Sequence, residues 1–277
     1  MDDVLDRRDV ARILHDSRFA VPEADAAAAS PFGRFRSRAS RFVNGDVHDR
    51  RRRAIEQTLA RLDPVELAAD AASRTRAIVR EAGGAVGIEV VATVARSVPV
   101  ACLAARLGFE RPDDLPRLVA QVAPAYASGV GSAEVDASVV LLLAAAPRAA
   151  HAVTGAGGDV DVEDETRELG VQVLVQAHAA TAGLIEGAMR GAQAAPTTTS
   201  TADLLATALR DDSPVRSTRR VAPDGTVVAL RHDGPDSDAG PGHPPRSLAF
   251  GAGTRACPAR HLALAIAGAV VEELRAC

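Results

Sequence analysis

The chain has 277 residues, of which 47% are hydrophobic and only 3% are aromatic, and all 32 of its basic residues are arginine. This length and apolar content suffice for one sizeable core, and the abundance of Ala and Leu favours helices. The net charge of −4 argues against a general nucleic-acid-binding protein.

The ends and the cysteines point to a reducing compartment. No basic segment followed by an apolar segment opens the chain, so no secretory signal is expected. Apolar runs such as Ala137–Ala146 are too short to span a bilayer. Cys102, Cys257 and Cys277 show no disulfide pattern. These features predict a cytoplasmic protein that does not associate with membranes.

The first third of the chain predicts two helices separated by a loop. Residues 9–14 read as a short amphipathic helix, Glu23–Ser40 reads as an Ala-, Ser- and Arg-rich loop, and Asn44–Leu62 has helical spacing with Asp46 as its cap. The basic run on the first turns of Asn44–Leu62 is either a solvated face or a binding site. His48 and Arg52 are four residues apart and therefore share one helix face, where they could hold a carboxylate.

The rest of the chain predicts further helices, a turn and one strand. They are helices from Pro64, over Ile88–Gly108, Asp113–Ala127, Ala133–Ala150, Glu163–Arg190 and Leu204–Arg210, a turn at Gly155–Asp161, a strand at Gly225–Leu230, a linker at His232–Pro245 and a C-terminal helix over Leu262–Leu274. The segment Leu169–Ile185 is apolar nearly all round, which predicts burial at the centre of the fold. Its polar exceptions are Gln172, Gln176, His178 and Thr181.

A glycine-rich loop with one cysteine precedes the C-terminal helix. Gly251 and Gly253 allow a tight bend, and Cys257 comes just before the expected helix start, where free N–H groups favour an anion. Arg255 adds a positive charge, so these conditions favour a thiolate, which is a metal ligand. One cysteine suits heme iron better than zinc, because zinc takes several ligands from the chain.

Two other interpretations compete for this loop. The first is a buried structural cysteine beside a turn. The second is a dinucleotide-binding loop, since Gly251-x-Gly253-x-x-Ala256 fits that short pattern. That motif needs a following helix, a second strand and an acidic residue. Pro258 interrupts the helix start and the chain ends at Cys277, so such a unit does not fit.

The string Phe250-Gly251-Ala252-Gly253-Thr254-Arg255-Ala256-Cys257-Pro258 closely resembles the heme-ligand loop of the cytochrome P-450 family. The resemblance implies a mainly α fold with a reduced or missing sheet portion. It also implies a single heme-thiolate domain over residues 1–277 that carries heme b on Cys257. The chain would be a shortened, partly degenerate bacterial relative that lacks the N-terminal helix and first strands, a helix after the long central one, and sheet segments.

The resemblance assigns cofactor-binding roles residue by residue. The His48-x-x-x-Arg52 pattern resembles the helix that grips the heme propionates, and Arg255 would join it. Arg220 matches a strand arginine that reaches a propionate, or Arg219 does if the register is off by one; the alternative for both is a surface charge. Phe250, Gly251 and Gly253 would shape the loop around the Cys257 ligand.

The expected catalytic helix departs from the family. The acid-alcohol pair that delivers protons during oxygen activation would fall on Ala179 and Ala180, and neither can relay a proton. Thr181 could serve if the register slips, or could bond to its own backbone. His178 is either an acid-base group or a core histidine. Substrate would approach near Ala177, Ala180 and residues 23–45.

The supporting ion pair of the family is also incomplete. In the family, a Glu-x-x-Arg helix supports the cysteine loop from behind. Here the arginine is Arg210, but Thr207 stands at the glutamate position.

The implied activity is oxidation of a small organic molecule, as in tailoring of a bacterial natural product. A ferredoxin and its reductase would drive a monooxygenase; without the proton relay, hydrogen peroxide or an atypical reaction becomes more plausible. The alternatives are a non-catalytic helper that stabilises a partner enzyme, and a heme sensor or carrier. A truncated fold would expose apolar surface, which predicts a homodimer.

Overall fold

The computed structural model describes residues 2–147 and 160–277, and these residues fold into a mainly helical structure with one small sheet. The elements are β1 (Asp2–Val4), α1 (Arg7–His15), α2 (Pro31–Arg38), α3 (Gly45–Leu59), α4 (Pro64–Glu81), α5 (Ile88–Arg106), α6 (Leu115–Ser128), α7 (Ala133–Ala145), α8 (Val160–Ala194), α9 (Thr201–Asp211), β2 (Ser217–Val221), β3 (Val227–Arg231) and α10 (Arg260–Ala276). The mainly α fold class predicted from the sequence is confirmed.

The helices begin where the sequence supplies a cap. Asp6 starts α1 by accepting a hydrogen bond from the backbone N–H of Arg8 at 2.9 Å. Asp63 does the same for Val65 at the start of α4, at 2.8 Å, and Pro64 takes the first helical position, where its missing N–H costs nothing. These local signals explain why the helix starts could be predicted closely.

The long helix α8 lies in the core, as its apolar middle predicted. Leu174 and Ile185 are fully buried, and α3, α5, α6, α9 and α10 all pack against this helix. Of the described helices, α5 alone is long and apolar enough to span a membrane by composition, and half of its apolar window is buried in the fold. Its contacts with α4 and α8 are those of a core helix.

The sheet has three strands in the order β1-β3-β2 among the described residues. Strand β1 runs parallel to β3 with Asp2 opposite Val228, and β2 runs antiparallel to β3 with Ser217 opposite Arg231. The sheet packs against α1 through a small apolar cluster that includes Val10 and Leu230. The predicted reduction of the sheet is confirmed, although β1 supplies a short first strand where none was expected.

The predicted loop at Glu23–Ser40 is wrong, because α2 lies inside it. Ser30 accepts a hydrogen bond from the N–H of Gly33 at 3.0 Å and Pro31 takes the first helical position. Phe32 and Phe35, three residues apart, are both buried and anchor the helix. A Ser-Pro cap and two aromatic side chains therefore outweigh a loop-like composition.

Three smaller boundary predictions are also corrected. The N-cap of α3 is Asn44, not Asp46. The side-chain amide of Asn44 does not cap the helix but accepts from the N–H of Val21 and donates to its carbonyl, each at 3.0 Å. Helix α7 ends at Ala145, before the predicted Ala150. Of the predicted Gly155–Asp161 turn, residues 155–159 lie outside the described residues, and 160–161 already belong to α8.

Candidate cofactor site

One cavity of about 520 Å³ brings together segments that are far apart in the sequence. It is lined by α3, the middle of α8, strand β2, the loop that leads into α10 and the first turns of α10. Nearly all of the sequence-predicted site residues line it, namely His48, Arg52, Ala177, Ala180, Thr181, Arg220, Phe250, Gly251, Arg255 and Cys257.

The glycine loop is held in a closed shape by its own backbone. The N–H of Cys257 donates to the carbonyl of Phe250 at 2.8 Å, and Gly251 and Gly253 both have φ of +66°. A Cβ at Gly253 would lie 2.4 Å from the carbonyl oxygen of Leu14. Position 253 therefore requires a glycine because the end of α1 lies directly against the loop.

Cys257 lies at the end of this loop with its side chain exposed to the cavity. Desolvation raises the pKa of its thiol, and the N–H of Ala259 and the charge of Arg52 only partly oppose this effect. The backbone N–H and the nearby arginine therefore oppose the effect of burial without outweighing it, and a thiolate at Cys257 stays a prediction. Bonding to a metal would favour the thiolate directly.

Two arginines tie the cysteine loop to α3. Arg52 donates to the carbonyl of Ala256 at 2.6 Å and pairs with Glu56 at 2.6 Å. Arg255 donates to the carbonyl of Val43 at 2.7 Å and to the amide oxygen of Asn44 at 3.0 Å. The loop and the basic helix that the sequence singled out separately are thus one structural unit.

His48 lies on the same face of α3 as Arg52. Its ring Nδ1 is 2.8 Å from a carboxylate oxygen of Asp49, yet burial lowers the pKa of the imidazole. The neutral form therefore dominates near pH 7, and His48 offers hydrogen bonding without a full positive charge.

Arg220 is a buried cation whose guanidinium hydrogen-bonds only to neutral groups in the part of the chain that the structure describes. It is 6% exposed and donates to the hydroxyl of Thr218 at 3.1 Å and to the carbonyl of Arg219 at 2.9 Å. Within residues 2–147 and 160–277 it has no carboxylate partner. Desolvation, with the positive charges of Arg255 and Arg41, lowers its pKa to about 10. A buried unpaired cation is unfavourable, so the donor set of this cavity fits an anionic group.

One face of α8 supplies the opposite side of the cavity. Ala177, Ala180 and Thr181 line it at helical spacing. The Thr181 hydroxyl makes no hydrogen bond to any residue that the structure describes, whereas Thr58 and Thr75 donate to the carbonyl four residues before them. The alternative in which Thr181 bonds to its own backbone is therefore not observed.

His178 lies away from this cavity. It is half-buried, and neither ring nitrogen has a hydrogen-bond partner among the described residues. Burial, together with the charge of Arg96 on α5, lowers its pKa. His178 therefore matches neither alternative closely, since it does not line the cavity and its ring nitrogens lack partners among the described residues, and its role stays a prediction.

Several cavity residues were not named individually from the sequence. Arg36, Arg41 and Phe42 lie within residues 23–45, which were expected near the substrate, whereas His232 was missed entirely. His232 fell in a predicted linker, but it is 3% exposed and its Nδ1 donates to the carbonyl of Val215 at 3.0 Å. Gln172, singled out only as polar in an apolar helix, exchanges two hydrogen bonds with Ser40, at 2.8 and 2.7 Å. Only the long-range packing reveals these roles.

The support behind the cysteine loop differs from the Glu-x-x-Arg arrangement. Arg210 pairs with its neighbour Asp211 at 2.8 Å. Arg7 of α1 is buried and donates to the carbonyls of Gly234 at 2.8 Å, Arg246 at 2.8 Å and Arg210 at 3.0 Å. The N-terminal helix therefore joins the end of α9 to the segment that leads into the loop.

The donor set of the cavity suits a group that brings most of its own metal ligands. Among the described residues, no three His, Cys, Asp or Glu side chains cluster as a metal site. A porphyrin needs only one protein ligand on one side of its iron and carries carboxylates that suit unpaired arginines. The residues present therefore fit heme.

Comparisons with known proteins agree on the fold. No protein-family model and no curated protein matches the sequence. Cytochrome P-450 BioI, solved in complex with an acyl carrier protein ligated to hexadec-9Z-enoic acid, has a TM-score of 0.75 at 17% identity, over 98% of this chain and 83% of that one.

Two further structures are equally extensive matches. The cytochrome P-450 PksS of the Bacillus subtilis bacillaene polyketide synthase has a TM-score of 0.72 at 13% identity, over 99% of this chain and 81% of its own. The epothilone D-bound cytochrome P-450 EpoK has a TM-score of 0.71 at 18% identity, over 98% and 82%. The chain is thus a shortened protein with the cytochrome P-450 fold.

Proposed function

We propose that the protein is a heme-thiolate oxidoreductase that oxidises a small organic molecule in bacterial natural product biosynthesis. The observation that carries this proposal is the position of the Cys257 side chain in the same cavity as the uncompensated Arg220. Two structurally similar proteins, named for bacillaene polyketide synthase and bound to epothilone D, support the substrate class.

In this proposal Cys257 is the protein ligand of the iron of heme b. Arg220, Arg255, Arg52 and His48 hold the propionates, and Phe250, Gly251 and Gly253 shape the loop around the sulfur. The number of unpaired positive charges equals the number of propionates. His48 is neutral and Arg52 is paired with Glu56, so Arg220 and Arg255 remain to balance the two carboxylates. When bound through a thiolate, heme supplies the activation of oxygen or peroxide for oxidation of the substrate.

The chain's own contribution to turnover lies on α8. Ala177 and Ala180 are small and leave space for substrate over the cofactor. The Thr181 hydroxyl, without a hydrogen bond to the described residues, can hold a proton at the edge of the cavity. Ala179 and Ala180 provide no carboxylic acid to resupply that proton. We therefore infer that hydrogen peroxide, which brings both oxygen atoms and both protons, drives the reaction better than O2 with a reductase.

A pair of turnover measurements tests this proposal. The heme-loaded protein is assayed with 2-methoxyphenol as the reporter, once with hydrogen peroxide and once with O2, NADPH, a ferredoxin and its reductase. We expect oxidation with peroxide, little with the reductase system, and loss of peroxide activity in Cys257→Ser. Turnover with the reductase system alone would reverse the assignment of the oxidant.

The helper function remains the second candidate, and one observation favours it. Thr207 stands at the position of the supporting glutamate, and Arg210 forms an ion pair with its exposed neighbour Asp211. A helper that stabilises a partner enzyme need not bind heme, so it would remain colourless after incubation with hemin. A sensor or carrier would bind heme but show no turnover in either assay.

The proposed setting is the bacterial cytoplasm.

A further inference from the structure

Three arginines line the cavity in addition to the group assigned to the cofactor. Arg36 extends from α2, Arg41 from the short turn Ser40–Phe42, and Arg219 from β2. The guanidinium carbon of Arg36 lies 3.9 Å from the ring centre of Phe42, and that of Arg41 lies 5.8 Å from the same centre. Arg36 also donates to the carbonyl of Tyr126 at 3.3 Å. Two of the three cations are thus gathered on one aromatic ring.

None of these three arginines forms an ion pair with a described residue. The positive charges of Arg41 and Arg219 lower the pKa of Arg36 and Tyr126 raises it, but burial is the main reason that this pKa is lowered. Other arginines of the same region are paired, since Arg50 and Arg51 share Glu165 at 3.2 and 2.8 Å. The cluster of Arg36, Arg41 and Arg219, called here the cationic triad, is therefore a local excess of positive charge.

The cofactor does not account for this excess. Two propionates are already balanced by Arg220 and Arg255. The triad lines the same cavity as apolar side chains of α8, including Val173 and Leu184. An anionic head on an apolar body would satisfy both the arginines and the apolar wall, because a guanidinium binds carboxylate and phosphate oxygens in a bidentate way.

We propose that the substrate carries a carboxylate or phosphate group that the cationic triad binds, with its apolar body directed along α8. That the ligand is a substrate rests on the proposed function. The contribution of the triad is a property of the chain and is measured, with or without heme, as the difference between the parent and variants that leave Arg220 and Arg255 unchanged.

Calorimetric titration with three matched probes tests the preference. The probes are dodecanoate, dodecyl phosphate and dodecan-1-ol, which share one apolar chain and differ in the head group. We expect at least one anion to bind about tenfold more tightly than the alcohol, and the difference to shrink at high salt. The two anions distinguish a carboxylate site from a phosphate site. Equal affinity for all three would overturn the proposal.

Variants assign the preference to the triad. The double variant Arg41→Gln/Arg219→Gln should lose the anion preference and keep the affinity for dodecan-1-ol. At position 36, Arg36→Lys should retain more of the anion preference than Arg36→Gln. Arg53→Gln, an exposed arginine on α3, is the matched control and should bind as the parent does. Circular dichroism melting checks that each variant is folded, and the double variant tests the triad even if Arg36→Gln fails this check.

The design separates the two proposals. If the protein takes up no heme but prefers the anion, and this preference is lost in Arg41→Gln/Arg219→Gln, the proposed function fails and the anion site stands. If the double variant loses heme but keeps its anion preference, these arginines belong to the cofactor site and the triad is wrong.

Discussion

Arg220 is the residue whose charge most clearly requires a ligand. Among the described residues its buried guanidinium has only a hydroxyl and a carbonyl as partners, which is unfavourable for a cation, and its pKa is lowered to about 10. For a base, a depressed folded-state pKa means that the charged form destabilises the fold at every pH below about 10. An arriving carboxylate would remove this cost.

Replacing Arg220 should separate stability from cofactor binding. In Arg220→Met we expect the heme-free protein to be as stable as the parent or more so, because the buried charge is gone, while heme affinity falls about tenfold or more. Melting temperature and hemin titration measure the two effects. Arg216→Met, at an exposed arginine 3.5 Å from Asp212, is the control and should change neither. Unchanged heme binding in Arg220→Met would remove this residue from the site.

Thr181 offers a second test at the residue scale. If its hydroxyl holds a proton for the reaction, Thr181→Ala should lower kcat with peroxide about tenfold to a hundredfold, and Thr181→Ser should restore most of it. Heme content and substrate KM should stay constant in both. Equal kcat in all three proteins would make Thr181 a packing residue.

His178 contributes to the pH dependence of stability together with His48 and His232, because burial lowers the pKa of all three imidazoles. Burial and Arg96 lower the pKa of the His178 imidazole, so the unfolded state binds a proton at a higher pH than the folded state does. Stability is therefore present above the ordinary histidine pKa and is lost as the pH falls through and below it. The melting temperature should drop between about pH 7.5 and pH 5.5, and His178→Leu should reduce this drop, while His48 and His232 account for the remainder. His243→Gln, at an exposed position, is the control and should leave the slope as in the parent.

At the scale of elements, α1 acts as a clamp on the cysteine loop. Arg7 joins three carbonyls that are otherwise separate, on Gly234, Arg246 and Arg210, and the end of α1 meets Gly253. This N-terminal clamp links the end of α9, the helix that carries Thr207 and Arg210, to the segment that precedes the cysteine loop.

Loss of the clamp should destabilise the whole fold. Arg7→Met leaves three carbonyls without their charged donor, so we expect a loss of about 3 kcal/mol in the free energy of unfolding and faster heme release. Urea unfolding and hemin transfer to apomyoglobin measure both. Arg12→Met, which removes only an exposed pair with Asp9 at 3.6 Å, should have little effect. Parent-like stability in Arg7→Met would contradict the clamp.

The sequence predicted the elements that neighbouring residues determine, and it missed those that depend on contacts between distant residues. Caps such as Asp63-Pro64 and the glycine loop before Cys257 are set by neighbours in the chain, so they were predictable. Helix α2 was missed because burial of Phe32 and Phe35 decides it. The clamp joins residues more than 200 positions apart. The unpaired state of Arg36 becomes visible only once the folded chain shows which carboxylates are near.

At the scale of the molecule, exposed apolar side chains predict self-association. Val140 and Leu141 on α7 are both about half exposed, at 51% and 53%. We expect a homodimer at micromolar concentration by light scattering, and a monomer for Leu141→Asp, because the charge opposes burial at an interface. A monomeric parent protein would contradict this prediction.

The binding of heme iron by Cys257 is tested most directly by the absorption spectrum of the reduced protein with carbon monoxide. A thiolate ligand gives a strongly red-shifted Soret band, and we predict this band in the heme-loaded parent and its loss in Cys257→Ser. A heme-loaded parent without that band, or a Cys257→Ser variant that keeps it, would show that Cys257 is not the iron ligand.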